Sequence, residues 1–383
     1  MPKVIADVQL VSPKSLIRPV SIEIGEEGRI SQIHEGHHPP DGSEVILDGG
    51  GELYLFAGFI DIHTHGAKGA DLSQGTLEAV ETIAEAKLAE GVTTFFPTTW
   101  TASREDTLAM ARAAAAYRKN ERFARAPLLH VEGPFLNPKQ AGAQDPKEMR
   151  PPDADEIEQL HDICPVGLLS LAIELPGACD LIRDLRQQSI VTSAAHSAAT
   201  FADYQNAREA GLKHLTHFCN QMSPLHHREI GLVGAGLTDL GVMTEVICDG
   251  IHLCPDMIRL GFQLIGCDRI MLITDSMAAS HLGDGVYPLN GTEITVKDGA
   301  ARIPEGNLAG SVVTFDQALR HAVAFTQLPL NEIAKCCARN QAQSLNLQDR
   351  GGIKQGMLAD LTLLTPDLEV VVVFVGGEQR YAA

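Results

Sequence analysis

The chain has 383 residues, enough for one large domain with a sizeable core and a smaller domain beside it. Acidic side chains outnumber basic ones 49 to 30, a net charge of −19, which argues against a nucleic-acid-binding protein. No apolar run is long enough to span a bilayer, and the opening MPKVIADVQLVSP lacks the charged start and apolar centre of a signal peptide, so a cytoplasmic protein without membrane contact is expected.

Residues 1–55 read as short strands at 5–10, 21–24, 30–33 and 44–47, separated by Pro, Gly and polar turns. Residues 361–364 and 370–374 repeat the style. Two β segments flanking a long middle predict a small β-sandwich domain built from 1–55 and 350–383. Between them, apolar runs at 58–62, 93–96, 128–131, 168–173, 190–194, 213–216, 242–247 and 270–273 alternate with helical stretches at 77–90, 104–119, 155–162, 178–187, 201–210 and 255–265. A β-hairpin insertion is expected at 284–304, and helices at 314–325 and 330–345. The alternation predicts an α/β fold, a closed (β/α)8 TIM-like barrel over 56–349. An open doubly wound sheet would alternate too, so the count alone does not choose. Eight scattered cysteines without a CxxC pair read as free thiols in a reducing compartment.

Polar residues able to hold a metal follow the strand-like runs: His63 and His65, Glu132, His196, His217 and Asp275. In a barrel all strand C-termini open onto one face, so these six would converge on one cavity. Each alone has an ordinary explanation, such as a satisfied core histidine or an N-cap. Together they point to a divalent ion, zinc foremost, which takes imidazole and carboxylate ligands and keeps a position for water.

GFIDIHTHG, HVEGPFLNP, AAHS, THFCNQMSPLHHREIG, CDGIH, LITDS and NLAGS occur here in that order. Together they resemble the N-acetylglucosamine-6-phosphate deacetylase family of the amidohydrolase superfamily. The tail GGIKQGMLADLTLL resembles that superfamily's small β domain. The resemblance covers nearly the whole chain and implies roles. Glu132, His196 and His217 would hold the main metal, and His63 and His65 a second one bridged by Glu132, giving one or two ions per chain. Asp275 would be both a ligand and the general base and acid, taking a proton from water and passing it to the departing nitrogen. Asn220, Gln221, Arg228 and His252 would receive the sugar phosphate. Leu308, Ala309 and Gly310 would line the sugar or acetyl pocket, with Ala143 and Gln144 also in the substrate-binding set. The run LLSLAIELPG contains no lysine, unlike relatives that bridge two metals with a modified one.

The implied activity is deacetylation of N-acetylglucosamine 6-phosphate to glucosamine 6-phosphate and acetate, by a homodimer. One departure stands out. The family usually carries GAH after GPFLNP, and this chain has Gln144 in place of that histidine. Glutamine donates only a neutral hydrogen bond. His281 is a conceivable substitute donor, an exposed loop residue the plainer reading. Two alternatives therefore stand: the same chemistry on another N-acyl amino-sugar phosphate, such as N-acetylgalactosamine 6-phosphate, or a catalytically weak sugar-phosphate-binding protein.

Overall fold

The computed structural model describes residues 1–13, 17–289 and 291–383. The middle of the chain forms a parallel barrel, whose strands are numbered here β1 (Phe59–Thr64), β2 (Val92–Pro97), β3 (Leu129–Glu132), β4 (Val166–Leu171), β5 (Val191–Ala194), β6 (His214–Leu215), β7 (Met243–Ile247) and β8 (Ile270–Ile273). Strands β3 to β8 pair in order, and β1 pairs with β2. Single bridges complete the ring: Thr98 with His130 joins β2 to β3, and Thr64 with Ser276 joins β8 back to β1. The closed form is therefore the correct one of the two predicted alternatives. Most barrel strands are buried along their whole length, which is why they read as apolar runs rather than alternating ones.

Helices α1 (Leu77–Ala89), α2 (Arg104–Arg118), α3 (Ala154–Ile163), α4 (Ala178–Gln187), α5 (Phe201–Ala210), α6 (Gly231–Thr238), α7 (Pro255–Leu264) and α8 (Phe315–Thr326) cover the barrel. Their starts follow local chemistry. Thr76 and Ser103 accept from backbone N–H groups of the first turns of α1 and α2, and Thr200 with Asp203 forms a capping box on α5.

A second sheet runs Glu378–Ala382, Val370–Val375, Leu361–Leu364, Tyr54–Ala57, Lys3–Leu10, Arg18–Ile24 and Ile30–Glu35, with Glu44–Asp48 pairing on Lys3–Leu10. Its joint is Tyr54–Ala57, antiparallel to Leu361–Leu364 on one side and parallel to Lys3–Leu10 on the other. One core, including Val8, Val20, Ile22, Leu55, Leu363 and Phe374, packs within this sheet, separate from the barrel core.

Four local features differ from the sequence reading. Strands Tyr54–Ala57 and Glu378–Ala382 were not expected, nor was α6, whose GLVGAGLT carries three glycines. Low intrinsic propensity is overridden there by burial of nearly the whole helix. The expected 330–345 helix is interrupted by a π turn at Lys335–Arg339. There Asn340 Nδ2 donates to the carbonyls of Cys267 and Ile270, both at 2.7 Å, and Gln341 Nε2 to that of Leu272 at 3.0 Å. The 284–304 insertion has three strands rather than two, Gly285–Leu289, Thr292–Lys297 and Ala300–Arg302; Asn290 lies outside the described residues. Among the described residues no helix is long and apolar enough to cross a membrane.

Candidate metal centre and substrate cavity

The C-terminal ends of β1, β3, β5, β6 and β8 bring the six predicted donors together. They form two buried groups, His63–His65–Asp275 and Glu132–His196–His217, whose ligand atoms lie within 4.8 Å of one another in each group. Glu132 joins the groups. Its Oε1 is 3.1 Å from His217 Nε2, 3.4 Å from His196 Nε2 and 3.5 Å from His63 Nε2, while Oε2 is 3.3 Å from His65 Nε2. Asp275 Oδ1 sits 3.3 Å from His63 Nε2 and 3.4 Å from His65 Nε2.

The backbone bends sharply to aim these side chains. His196, His217 and Asp275 have φ of 44°, 30° and 50°, a left-handed region that costs of order 1–3 kcal/mol for a residue with a Cβ. Gly310 packs against one of these bends, since a Cβ there would lie 2.8 Å from the Asp275 carbonyl oxygen.

Three imidazoles are oriented through Nδ1, leaving Nε2 for the centre. His63 Nδ1 lies 3.1 Å from Glu245 Oε2, His65 Nδ1 lies 3.1 Å from the Thr98 carbonyl, and His196 Nδ1 lies 2.7 Å from the Gln140 carbonyl. The His65 ring also stacks on Trp100, centroids 3.9 Å apart. Buried beneath His63 is His130, held by the Ile62 carbonyl and Ser170 Oγ.

Electrostatics describe a site that demands positive charge. Burial would raise Glu132, but the charge of His63 and the hydrogen bonds of His196 and His217 hold it well below the carboxylate range. Burial likewise opposes ionisation of Asp275, and His63 with His65 brings it down to about 2. Burial should keep the His65 imidazole neutral, yet Asp275 and Glu132 raise it to about 9. The buried His63 Nε2 has no hydrogen-bond partner among the described residues although it points at both carboxylates. A divalent cation would answer that charge demand and that orphaned nitrogen, so the donor set fits one or two ions.

Above the six donors lies a cavity of about 270 Å3, lined in part by Ala143, Gln144, Asn220, Gln221, His252, Leu308 and Gly310. His252 Nδ1 is 2.6 Å from Asp249 Oδ2, and this partner outweighs burial to raise the imidazole pKa above 6.5. Gln144 is fully engaged: its Oε1 accepts from Thr101 N at 2.8 Å and its Nε2 donates to Glu132 Oε2 at 2.5 Å. Two predicted residues are not on the lining. Ala309 is buried, its N–H on the Ala301 carbonyl. Arg228 is exposed and bonded to His227 Nε2, because paired backbone bonds between His226 and Glu229 fold that loop on itself. Arg302 and Asn307, from the insertion and the loop after it, line the cavity unforeseen. His281 is likewise exposed and sits on Glu90 at 2.9 Å, away from the cavity lining.

Sequence reasoning missed Glu245, Trp100 and the buried cluster of Lys87, Asp61 and Glu90. Glu245 had a signal, a lone charge inside the apolar run MTEVI. Lys87 had none, since a lysine in a surface helix is ordinarily solvated.

A closed barrel whose strand ends gather four imidazoles and two carboxylates around a cavity defines an amidohydrolase-type metal hydrolase. Residues 54–380 match the amidohydrolase family. The N-acetylglucosamine-6-phosphate deacetylase of Bacillus subtilis is 34% identical over 380 residues, covering 97% of this chain and 96% of that protein. The N-acetylgalactosamine-6-phosphate deacetylase of Escherichia coli O157:H7 is 34% identical over 331 residues, 85% of this chain and 87% of that one. The crystal structure of an Asp-to-Ala mutant of the Mycobacterium smegmatis N-acetylglucosamine-6-phosphate deacetylase, bound to N-acetylglucosamine 6-phosphate, superposes with a TM-score of 0.92 at 31% identity, covering all of both chains. The chain belongs to the amidohydrolase family, within its N-acetylglucosamine-6-phosphate deacetylase branch.

Proposed function

We propose that the chain hydrolyses the acetamide of N-acetylglucosamine 6-phosphate, releasing acetate and glucosamine 6-phosphate. The observation that carries this is the pair of buried donor groups sharing Glu132 at the floor of a polar cavity, with Asp275 beside them. Glu132, His196 and His217 would hold the main ion, and His63, His65 and Asp275 a second. Imidazole and carboxylate donors favour zinc. Such an ion activates water near neutral pH and polarises the amide carbonyl.

The chain's own groups do the rest. Asp275, a strong carboxylate before reaction, accepts the proton of the attacking water and returns it to the amine nitrogen as the C–N bond breaks. His252, its imidazole pKa raised by Asp249, faces the sugar phosphate together with Arg302 and the amides of Asn220 and Gln221. Leu308 and Gly310 border the sugar. Gln144 orients Glu132 and, being neutral, brings no cationic donor to the acyl oxygen. Among the described residues the lining carries one arginine and no lysine, which supports a homodimer in which a neighbouring subunit completes the phosphate site, with Arg228 on the exposed loop beside it. We assign catalysis to residues 56–349, the small β domain to 1–55 with 350–383, and the enzyme to the cytoplasm.

The test is acetate release by zinc-loaded protein from N-acetylglucosamine 6-phosphate, its galacto epimer and the unphosphorylated sugar. Turnover of the gluco phosphate, lost by at least 100-fold in Asp275→Asn, is expected. Activity confined to the galacto epimer would favour the second reading, which Gln144 and the Escherichia coli relative support. No acetate from any substrate, with the sugar phosphate still bound, would leave only the binding-protein reading.

A further inference from the structure

We propose that Glu245 is a positioning residue that governs filling of the ion position formed by His63, His65 and Asp275. This rests on the metal-binding reading above.

Glu245 lies on β7, a strand that contributes none of the six donors, and is fully buried as the only charged residue of that strand. A carboxylate without a use is expensive in such a place. One oxygen, Oε2, accepts from His63 Nδ1 at 3.1 Å and from the His217 backbone N–H at 3.3 Å. The other, Oε1, has no hydrogen-bond partner among the described residues. His63 thus belongs to one group and His217 to the other, and a single oxygen holds both.

The two contacts do different things. An imidazole can give Nε2 to an ion only if its proton is on Nδ1, and an acceptor there fixes that tautomer. The Nδ1 atoms of His65 and His196 meet backbone carbonyls, whereas His63 meets a carboxylate, which makes the ring a stronger donor. Among the described residues His217 has no partner at Nδ1, so its ring relies on its backbone being held. That backbone is in the left-handed region at φ 30°, and Glu245 is one of the groups keeping it there. Losing the carboxylate therefore frees the His63 ring to rotate or change tautomer, while Glu132, His196 and the cavity wall remain.

The experiment titrates zinc into metal-stripped wild type, Glu245→Gln and Glu245→Leu, with a chromophoric chelator as competitor and metal content read by mass spectrometry. Two ions are expected in the wild type. Glu245→Gln keeps the shape and an acceptor oxygen, and should weaken one of the two ions about 10- to 100-fold. Glu245→Leu should retain one ion, with the affinity of that ion changed by less than about tenfold. Equal weakening of both ions in Glu245→Gln, or two ions of wild-type affinity in either variant, would overturn the proposal while leaving the metal reading intact. A wild type that takes up no ion would overturn both. Circular dichroism of the stripped proteins separates loss of an ion from loss of fold, and the isosteric Gln variant keeps the test decisive if the Leu variant does not fold.

Discussion

Lys87 offers the sharpest test of how the barrel closes behind Asp275. It lies on α1 with no exposed surface, and its Nζ donates to Ser276 Oγ at 2.9 Å, to Glu90 Oε2 and Thr274 Oγ1 at 3.0 Å, and reaches Asp61 Oδ2 at 3.2 Å. Burial disfavours the ammonium, but Glu90 and Asp61 outweigh it and raise the lysine above 10.5. Removing one partner of a buried ion pair typically costs about 3–5 kcal/mol, because the remaining charge is left uncompensated. Both carboxylates keep other donors here: Thr274 N and Oγ1 on Asp61, and Phe315 N and His281 on Glu90. Burial already holds Asp61 above its usual pKa, so it can escape by taking a proton. The lower end of the range, about 3 kcal/mol, is therefore expected for Lys87→Met. Adding Glu90→Gln should recover part of the loss. The assay is urea unfolding in excess chelator, followed by circular dichroism and by Trp100, the chain's only tryptophan, with coincident transitions required. Because the folded pKa is raised, the lysine's contribution is fully present below 10.5 and is lost only as pH rises through the folded value. Because a proton on Asp61 relieves the variant most at the low end, the difference between variant and wild type should hold level or grow, and not shrink, as pH rises from neutrality to about 10. A loss under about 1 kcal/mol, or one that shrinks as pH rises across that window, would refute the argument.

Two further outcomes follow from buried groups. His214 on β6 has both ring nitrogens buried without partners among the described residues, and burial, with a smaller effect of Lys213, pushes its pKa from 6.5 down to about 3. Below pH 6.5 the unfolded chain takes up a proton that the native one refuses, so stability falls by about 1.4 kcal/mol per pH unit until the folded pKa is reached. His214→Leu should recover about 2 kcal/mol at pH 5 relative to pH 7, measured by urea midpoints; an unchanged acid slope would contradict this. Gln144→Leu strips the Thr101 N–H of its acceptor and Glu132 of a donor, and should cost about 1–3 kcal/mol. Wild-type stability in that variant would show that the glutamine is not the bridge described here.

The barrel and its donors were legible because they leave long-lived marks in sequence: strand ends followed by His, Glu or Asp, and apolar runs of the right length. Boundaries were harder. His63 and His65 were expected beyond a strand ending at 62, whereas β1 continues to Thr64. The helix α6 was invisible because its glycines contradict helix propensity and only tertiary burial overrides them. Arg228 was expected on the phosphate from resemblance, and the self-closing His226–Glu229 turn sends it to solvent in this single chain. Arg302 could not be foreseen, since nothing in the order of residues says that an inserted sheet folds over a cavity whose lining begins as far back as His65. Glu245 was readable in principle, as a lone acid in an apolar strand, but such an acid declares neither its partner nor its direction.

The pairing of Tyr54–Ala57 with Leu361–Leu364 has a consequence in time. About 300 residues separate the two strands, and at about 5–20 residues per second a ribosome needs about 15–60 s to make them. Until then Tyr54–Ala57 lacks its Leu361–Leu364 partner and offers an open edge to whatever else is nascent nearby. A cell making this protein therefore has every reason to keep a chaperone on its first sixty or so residues while the barrel is built.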